Sequence, residues 1–432
     1  MRITTTTALQ FNQVLRQGSF ILISILLAKS SLTTFDIGVY ETLLFIGTAM
    51  SYFWLNALIQ SSLTFTPSVN TAEKPKTVFN IFLIFNAFSL LLCLILWTFK
   101  PFIISFFAGK SELPFYDLYV FSLLLSFPPL LLESLWTVQN TPLSILAYSL
   151  VSHLLLPFAI VLPLWFYMPF IYSFYGMIGV ASIRYIWLVV HILCTYGFFS
   201  IDVKIIRLFL TLSLPLMAYS FLNGFVTSFT AWIVQWFYEG DNMVFAVFRY
   251  GAREFPLSLA LATGLSNSMI PILTETTQVG MQLLKQKSER LWHILFPTSI
   301  GLMLTAKFLF PLVFNPSFTQ SADIFCLFLL LLTSRALFPQ SILLALKETK
   351  TMLFISIIET LSIIILSFLL IFPLGTEGVA WALVIGFLIE KLLIALFLKQ
   401  KHNISMSDYT NIRLYTVYSL FLLVSYALSK LL

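Results

Sequence analysis

The sequence is poor in charged residues. Only 10% of its 432 residues are Asp, Glu, Lys or Arg, against about 25% in an ordinary soluble domain, whereas 59% are hydrophobic. This composition excludes a water-soluble protein and predicts an integral membrane protein, long enough for about a dozen crossings of roughly 20 residues each. The longest polar interval, near residues 274–290, is too short for a folded soluble domain.

The usual signatures of catalysis and metal binding are missing as well. The cysteines Cys93, Cys194 and Cys326 lie far apart in apolar runs, so they form neither a metal motif nor a disulfide framework. The histidines are scattered, and there is no Gly-rich phosphate loop, nucleophile elbow or helical metal motif. We therefore expect no catalytic residue, no metal site and no nucleotide-driven pump. We predict that the protein is not an enzyme.

Hydrophobic segments predict an all-α polytopic protein. They lie near residues 10–30, 37–66, 78–99, 115–139, 142–167, 173–199, 208–237, 242–271, 291–314, 320–346, 351–372, 377–398 and, after a polar link, 414–431. With the N-terminus inside, thirteen Lys and Arg residues fall in inner segments and four in outer ones (Lys29, Lys100, Lys110 and Lys430). This bias places the N-terminus in the cytoplasm. It also accounts for most of the net charge of +6, so no nucleic-acid partner is expected.

Three short sequence features of the first half of the chain recur in the second half, in the same order and at nearly the same offset in residue number. Residues 36–40 (DIGVY) open the second segment and residues 241–245 (DNMVF) open the eighth, and these two segments close with Pro67 and Pro271. Residues 176–181 (GMIGVA) and 375–380 (GTEGVA) open the sixth and twelfth. We predict two parallel six-helix lobes, residues 1–200 and 201–400, with a linker and an accessory thirteenth helix in 401–432. A binding site between such lobes would lie near the bilayer midplane.

With these motifs the sequence resembles the multidrug/oligosaccharidyl-lipid/polysaccharide exporter superfamily, and within it the polysaccharide (O-antigen, Wzx-type) flippases. The resemblance covers residues 8–398 and rests on the junction 32–40 (LTTFDIGVY), the glycine signatures near 176 and 375, and the polar-then-proline exits at 66–67 and 268–271. It implies a V-shaped, alternating-access transporter whose helices 1, 2, 7 and 8 line a central cavity.

The same resemblance separates several branches by their chemistry. In flippases of lipid-linked sugars the cavity is cationic and binds the pyrophosphate, whereas drug-extruding members place carboxylates in their lobes. The lipid II flippases also resemble this chain but typically have fourteen helices, and the thirteen counted here disfavour that branch.

Arginines inside the apolar segments are the candidate substrate-binding residues. Arg249 and Arg253 lie roughly 12 and 18 Å into the eighth segment, a depth at which an arginine usually faces a cavity or a partner. Four residues apart, they are predicted to share one helical face, with a kink at Pro256. The arginine fork suits phosphate oxygens because it makes two parallel hydrogen bonds. The predicted substrate-binding set is Arg16, Arg184, Arg249, Arg253 and Arg335.

A static ion-pair network is the structural alternative for these cations. Glu41, close in sequence to the helix-2 positions that match the two arginines, is the candidate for ion coupling or for a gate between the lobes. Glu133 and Glu359 could hold a coupling cation, Na+ or H+, or be buried hydrogen-bonded carboxyls; no other cofactor is expected. Glu254 is predicted to pair with a neighbouring helix. Two charged residues near a helix end are predicted to snorkel toward water: Glu390 and Lys391.

The predicted function is translocation of an undecaprenyl-diphosphate-linked oligosaccharide across the bacterial inner membrane for surface polysaccharide biosynthesis. Membrane lipids, this substrate and other polysaccharide-assembly proteins are the expected partners. Three alternatives stay open: a cation-coupled drug antiporter of the same fold, a lipid II flippase, and a membrane polysaccharide polymerase or ligase. The last usually needs a sizeable outer loop, and the outer segments here are short.

Overall fold

A computed structural model describes residues 5–346 and 348–431, and in this part of the chain the regular elements are all helical. The α-helices are α1 (Thr5–Ala28), α2 (Thr34–Ser68), α3 (Lys74–Thr98), α4 (Lys100–Ala108), α5 (Tyr116–Ser126), α6 (Leu131–Gln139), α7 (Pro142–Trp165), α8 (Ile171–Thr195), α9 (Val203–Phe237), α10 (Asn242–Gly251), α11 (Pro256–Glu275), α12 (Thr277–Val313), α13 (Ser321–Leu330), α14 (Leu332–Arg335), α15 (Pro339–Ala345), α16 (Thr349–Leu374), α17 (Thr376–His402), α18 (Met406–Tyr409) and α19 (Ile412–Leu431). The predicted all-α polytopic fold is confirmed.

Each predicted segment corresponds to one helix or to a broken helix. Eleven stretches of the described residues are helical and are long and apolar enough to cross a membrane, the last being Ile412–Leu431. Residues 208–237 belong to α9, whose 35 residues extend about 52 Å, more than the roughly 30 Å of hydrocarbon. Residues 242–271 are divided between α10 and α11.

Packing divides the chain into an N-terminal unit, Met1–Phe245, and a C-terminal unit, Ala246–Leu432. Helix α9 belongs to the N-terminal unit because it packs along α2. Gln235 Nε2 donates to Thr42 Oγ1 over 2.8 Å, and Asn56 Nδ2 donates to Ser220 Oγ over 3.2 Å. The N-terminal unit therefore contains one helix more than the predicted six-helix lobe. The duplication itself, with boundaries at 200 and 400, stays a prediction.

The N-termini of α2 and α10 are capped by different residues of the matching motifs. The Thr33 hydroxyl accepts from the Asp36 N–H over 3.2 Å, and the Asp36 carboxylate accepts from the Thr33 N–H over 3.1 Å, which is a capping box. At α10, Asp241 itself accepts from the N–H groups two and three residues on. Gly38 touches the start of α10 so closely that a Cβ there would lie 1.9 Å from the Asn242 carbonyl oxygen.

Three predicted spans are not continuous α-helices. The interruptions lie at 127–130 between α5 and α6, at 252–255 between α10 and α11, and at 336–338 between α14 and α15. Each coincides with a proline, Pro128, Pro256 or Pro339, which lacks an N–H. The residues before Pro256 and Pro339 leave helical backbone, whereas Pro128 begins a 3-10 helix that ends at Leu130. Because irregular backbone at membrane depth is tolerated only inside protein or beside a water-filled cavity, these breaks are the places to look for a site.

Candidate functional site

Arg249 and Arg253 do not share a helical face, so this sequence-based prediction is wrong. Helix α10 ends between them: Arg249 is in its last turn, whereas Arg253 lies in the 252–255 break. Pro256 begins a new helix rather than kinking a continuous one, because the residue before a proline favours extended backbone, here Phe255 at φ −60° and ψ 111°. The Arg253 guanidinium lies 5.1 Å from the ring centroid of Tyr250.

Contacts with α13 and its preceding turn fix the end of α10. Ser321 Oγ donates to the Val247 carbonyl over 2.7 Å, and a Cβ on Gly251 would lie 2.5 Å from the Ser321 carbonyl oxygen. The ring of Tyr250 stacks on Phe318 with centroids 4.3 Å apart. These contacts determine where the backbone leaves the helix and so place the residues of the 252–255 break.

An ion pair joins the two breaks of the C-terminal unit. Arg335, the last residue of α14, donates from Nη2 to Glu254 Oε1 over 2.8 Å, with side chains 32% and 26% exposed. The predicted pairing of Glu254 with a neighbouring helix is confirmed. The guanidinium also lies 5.0 Å from the ring centroid of Phe387. Its Nε is buried and makes no hydrogen bond to the residues that the structure describes.

The prediction that Lys391 snorkels toward water is wrong. Its side chain is 7% exposed and pairs with Glu390 at 2.8 Å, and Nζ donates to Gln340 Oε1 over 2.7 Å. Glu359 on α16 is 9% exposed and interacts electrostatically with Glu390, Lys391 and Arg335. Together with the ion pair above, these residues form the C-terminal cluster, which contains three carboxylates and two basic groups.

A second cluster, the N-terminal cluster, lies between α1, α6 and α7. Asn12 is 1% exposed and donates from Nδ2 to Glu133 Oε2 over 2.9 Å. Its Oδ1 accepts from Ser149 Oγ over 2.8 Å and lies 3.0 Å from His153 Nε2. Glu133 Oε1 is buried and makes no hydrogen bond within the described part of the chain. Glu133 is therefore a buried carboxyl that is hydrogen-bonded at one oxygen only.

Arg16 and Arg184 both act electrostatically on the Glu133 carboxylate. Arg184 on α8 donates from Nε and Nη2 to the Tyr148 hydroxyl over 3.0 and 2.7 Å. Tyr148 in turn donates to the Pro129 carbonyl over 3.2 Å, at the break between α5 and α6. Arg16 hydrogen-bonds to a glutamine one turn earlier in its own helix. The N-terminal cluster thus combines two guanidinium groups with one carboxylate.

Glu41 is buried in α2, where it is 2% exposed. It interacts electrostatically with Tyr119 of α5, whose hydroxyl packs against Gly47 so closely that a Cβ there would lie 2.2 Å from it. The predicted roles of Glu41 in coupling and gating stay predictions.

Sequence reasoning missed four polar residues of these clusters: Asn12, Ser149, His153 and Gln340. Asn12 precedes Arg16 by four residues, and Ser149 precedes His153 by four, a spacing that places each pair on one helical face. Polar side chains repeated at that spacing within an apolar helix are the signal that would have found three of them. Gln340 carries no such signal, because its partner Lys391 lies on a distant helix.

No family model and no curated protein matches the chain, but solved structures share its fold. A lipid II flippase, MurJ, in an inward closed conformation has a TM-score of 0.69 at 17% identity, covering 99% of this chain and 97% of that chain. An inward-facing multidrug resistance MATE family transporter of the MOP superfamily has 0.62 at 14% identity, covering 88% and 92%. A MOP superfamily transporter from Pyrococcus furiosus, described by a reverse polarity of its binding pocket, has 0.57 at 11%, covering 92% and 95%. At these identities the likeness shows the fold: the chain is a multi-pass membrane protein with the fold of MOP-superfamily transporters.

Proposed function

We propose that the protein is a flippase that moves a lipid-linked diphosphate oligosaccharide between membrane leaflets by alternating access. The observation that carries the proposal is Arg335, which ends α14 beside the 336–338 break, pairs with Glu254 through Nη2 and has a buried Nε without a hydrogen bond to the described residues. Broken helices commonly hold the substrate in transporters, and the arginine fork matches phosphate oxygens. Arg253 lies in the second break, next to Glu254.

The number of intramembrane arginines also favours an anionic substrate. An arginine within an apolar membrane segment costs at least ~2.5–3.5 kcal/mol on insertion scales, and five of them favour a polyanionic substrate over a neutral one: Arg16, Arg184, Arg249, Arg253 and Arg335. The lipid tail would stay in the hydrocarbon while Arg253 and Arg335 bind the diphosphate. We propose undecaprenyl diphosphate as the carrier, the bacterial inner membrane as the location, with the N-terminus cytoplasmic, and polysaccharide-assembly proteins as partners.

Glu359 is the residue we propose for coupling to H+ or Na+. Arg335 and Lys391 each pair with another carboxylate, and Glu359 has no ion pair among the described residues. Because a buried charge without a partner is costly, binding one cation at Glu359 would stabilise the cluster. Glu133, through its unbonded oxygen, is the second candidate for coupling, and Glu41 for the gate.

The test is leaflet transfer of a fluorescent undecaprenyl-diphosphate oligosaccharide in vesicles that contain the purified protein. Replacing Arg253 and Arg335 together by alanine is expected to slow transfer at least about tenfold, since a hydrogen bond to a charged group contributes ~1.5–3 kcal/mol. Arg290→Ala, at an exposed position of α12, is the matched control and should keep the original rate. Unchanged transfer in the double variant would refute the diphosphate site.

A cation-coupled drug antiporter is the second candidate, because the C-terminal cluster has one carboxylate more than it has basic groups. Export of a cationic dye that is abolished by Glu359→Gln and insensitive to Arg335→Ala would favour the antiporter. Transfer of lipid II in preference to the oligosaccharide lipid would instead favour a lipid II flippase.

A further inference from the structure

The break between α14 and α15 frees main-chain carbonyl groups that a continuous helix would bond. The Leu337 N–H, which would reach the Thr333 carbonyl, donates to the Ser334 carbonyl over 3.2 Å instead. Pro339 opens α15, and the N–H groups of a first helical turn have no acceptor within their helix. The Ala336 carbonyl therefore loses its usual donor as well. Inside a membrane protein such carbonyls need another partner.

Side chains from two other helices satisfy both carbonyls. Trp292 of α12 donates from Nε1 to the Ala336 carbonyl over 3.0 Å, and Tyr415 of α19 donates from its hydroxyl to the Thr333 carbonyl over 2.8 Å. Trp292 is fully buried, and the two rings pack on each other with centroids 5.7 Å apart. Arg335 lies between the two bonded carbonyls in the chain, so both ends of its local backbone are held.

Separate contacts fix the register of α19 along α12. The Tyr418 hydroxyl lies 2.6 Å from His293 Nδ1, and its ring stacks on Phe296 with centroids 5.1 Å apart. Asn411 Nδ2 donates to Glu289 Oε1 over 2.9 Å. The three residues of α12 are four and three positions apart and therefore share one helical face. This register brings Tyr415 to the break.

We propose that α19 is a positioning element of the diphosphate site: Tyr415, with Trp292, holds the α14–α15 break and thereby directs the Arg335 side chain. Both are positioning residues, because they bond the backbone beside Arg335 rather than a substrate. The part of this inference that concerns substrate rests on the proposed function, whereas the control of the break does not. A helix outside the predicted duplication thus acquires a role in the site.

Hydrogen–deuterium exchange of the purified full chain tests the control of the break. Tyr415→Phe removes the hydroxyl and keeps the ring, and exchange in a peptide spanning residues 334–342 is expected to accelerate roughly threefold to tenfold, as for loss of one ordinary hydrogen bond. Tyr426→Phe is the matched control, because it removes a hydroxyl from the same helix at a ring that packs on Trp381 rather than on the break. It should leave this peptide unchanged. Equal exchange in the unaltered protein and in Tyr415→Phe would overturn the proposal.

Calorimetric titration with inorganic pyrophosphate tests the link to Arg335. Tyr415→Phe is expected to weaken binding about threefold, and Tyr426→Phe to leave it unchanged. Faster exchange with unaltered affinity would overturn the link between the break and Arg335. A third outcome is faster exchange in Tyr415→Phe when neither the unaltered protein nor any variant binds pyrophosphate. It would count against the proposed diphosphate site and support the control of the break by Tyr415.

Discussion

The pair between Glu254 and Arg335 distinguishes a static ion-pair network from a substrate site. In a static network the carboxylate only stabilises the fold, whereas at a diphosphate site it competes with the substrate for the guanidinium. Glu254→Gln keeps the size of the side chain and a hydrogen-bond acceptor but removes the negative charge. We predict that this variant binds inorganic pyrophosphate more tightly than the unaltered protein.

The size of the gain follows from distance and exposure. Two unit charges about 4 Å apart interact with ~4 kcal/mol at an effective dielectric constant of ~20, and here the nitrogen and oxygen are 2.8 Å apart. The side chains are 32% and 26% exposed, so solvent screens the pair toward the ~0–1 kcal/mol of surface ion pairs. An intermediate value of roughly 1–2 kcal/mol corresponds to binding that is ~5–30-fold tighter.

Isothermal titration calorimetry at low and at physiological ionic strength measures this change. The matched control is Glu377→Gln, which removes the carboxylate that pairs with Lys430 at 2.8 Å, where both side chains are 33% exposed. It lies on α17 outside the C-terminal cluster and should leave pyrophosphate binding unchanged. Unchanged or weaker binding by Glu254→Gln would refute the competition and favour a static pair.

Three further predictions concern stability, measured as melting curves in detergent. Gly38→Ala would place a Cβ 1.9 Å from a main-chain oxygen and is expected to cost about 1–3 kcal/mol. Gly179→Ala, with nothing within 4 Å of the new Cβ, should be tolerated. Equal melting temperatures of the two variants would contradict this packing. Asn12→Ala leaves its buried partners unbonded, at an expected cost of about 1–3 kcal/mol, and an unchanged midpoint would exclude its bridging role. The hydrogen bond from Lys76 holds the pKa of the Asp202 carboxyl below its ordinary value of 3.8. This pair therefore stabilises the fold above that pH, and its contribution is lost as the pH falls through the lowered pKa. Asp202→Asn should flatten the acid dependence.

Hydropathy and charge were sufficient to predict an all-α polytopic protein, because the length of an apolar run is a local property of the sequence. The broken helices were predicted only in part. Pro256 marks a disruption, but whether a proline kinks a helix or ends it depends on what packs beside it. Here the close contact of Gly251 with Ser321 fixes the end of α10 before the proline, and that contact spans seventy residues of sequence.

The candidate site was predictable residue by residue but not as an arrangement. Charged residues in apolar helices are conspicuous, so Arg335 and Glu133 could be named from the sequence. Their hydrogen-bond partners come from distant helices, and no local pattern identifies them. Lys391 illustrates the limit: its distance from the helix end permits a path to water, yet Gln340 binds it inside the protein.

The composition of the C-terminal cluster has an electrical consequence. With every group ionised, three carboxylates and two basic groups carry one net negative charge, and a single bound monovalent cation makes the cluster neutral. The membrane potential does work of about 2.3 kcal/mol per elementary charge moved through 100 mV. A neutral, loaded cluster would change conformation without electrical work, whereas the empty cluster would carry charge through the field. Voltage would therefore act on the cluster itself only while no cation is bound, whereas a bound diphosphate would add its own negative charge to the step that carries the lipid.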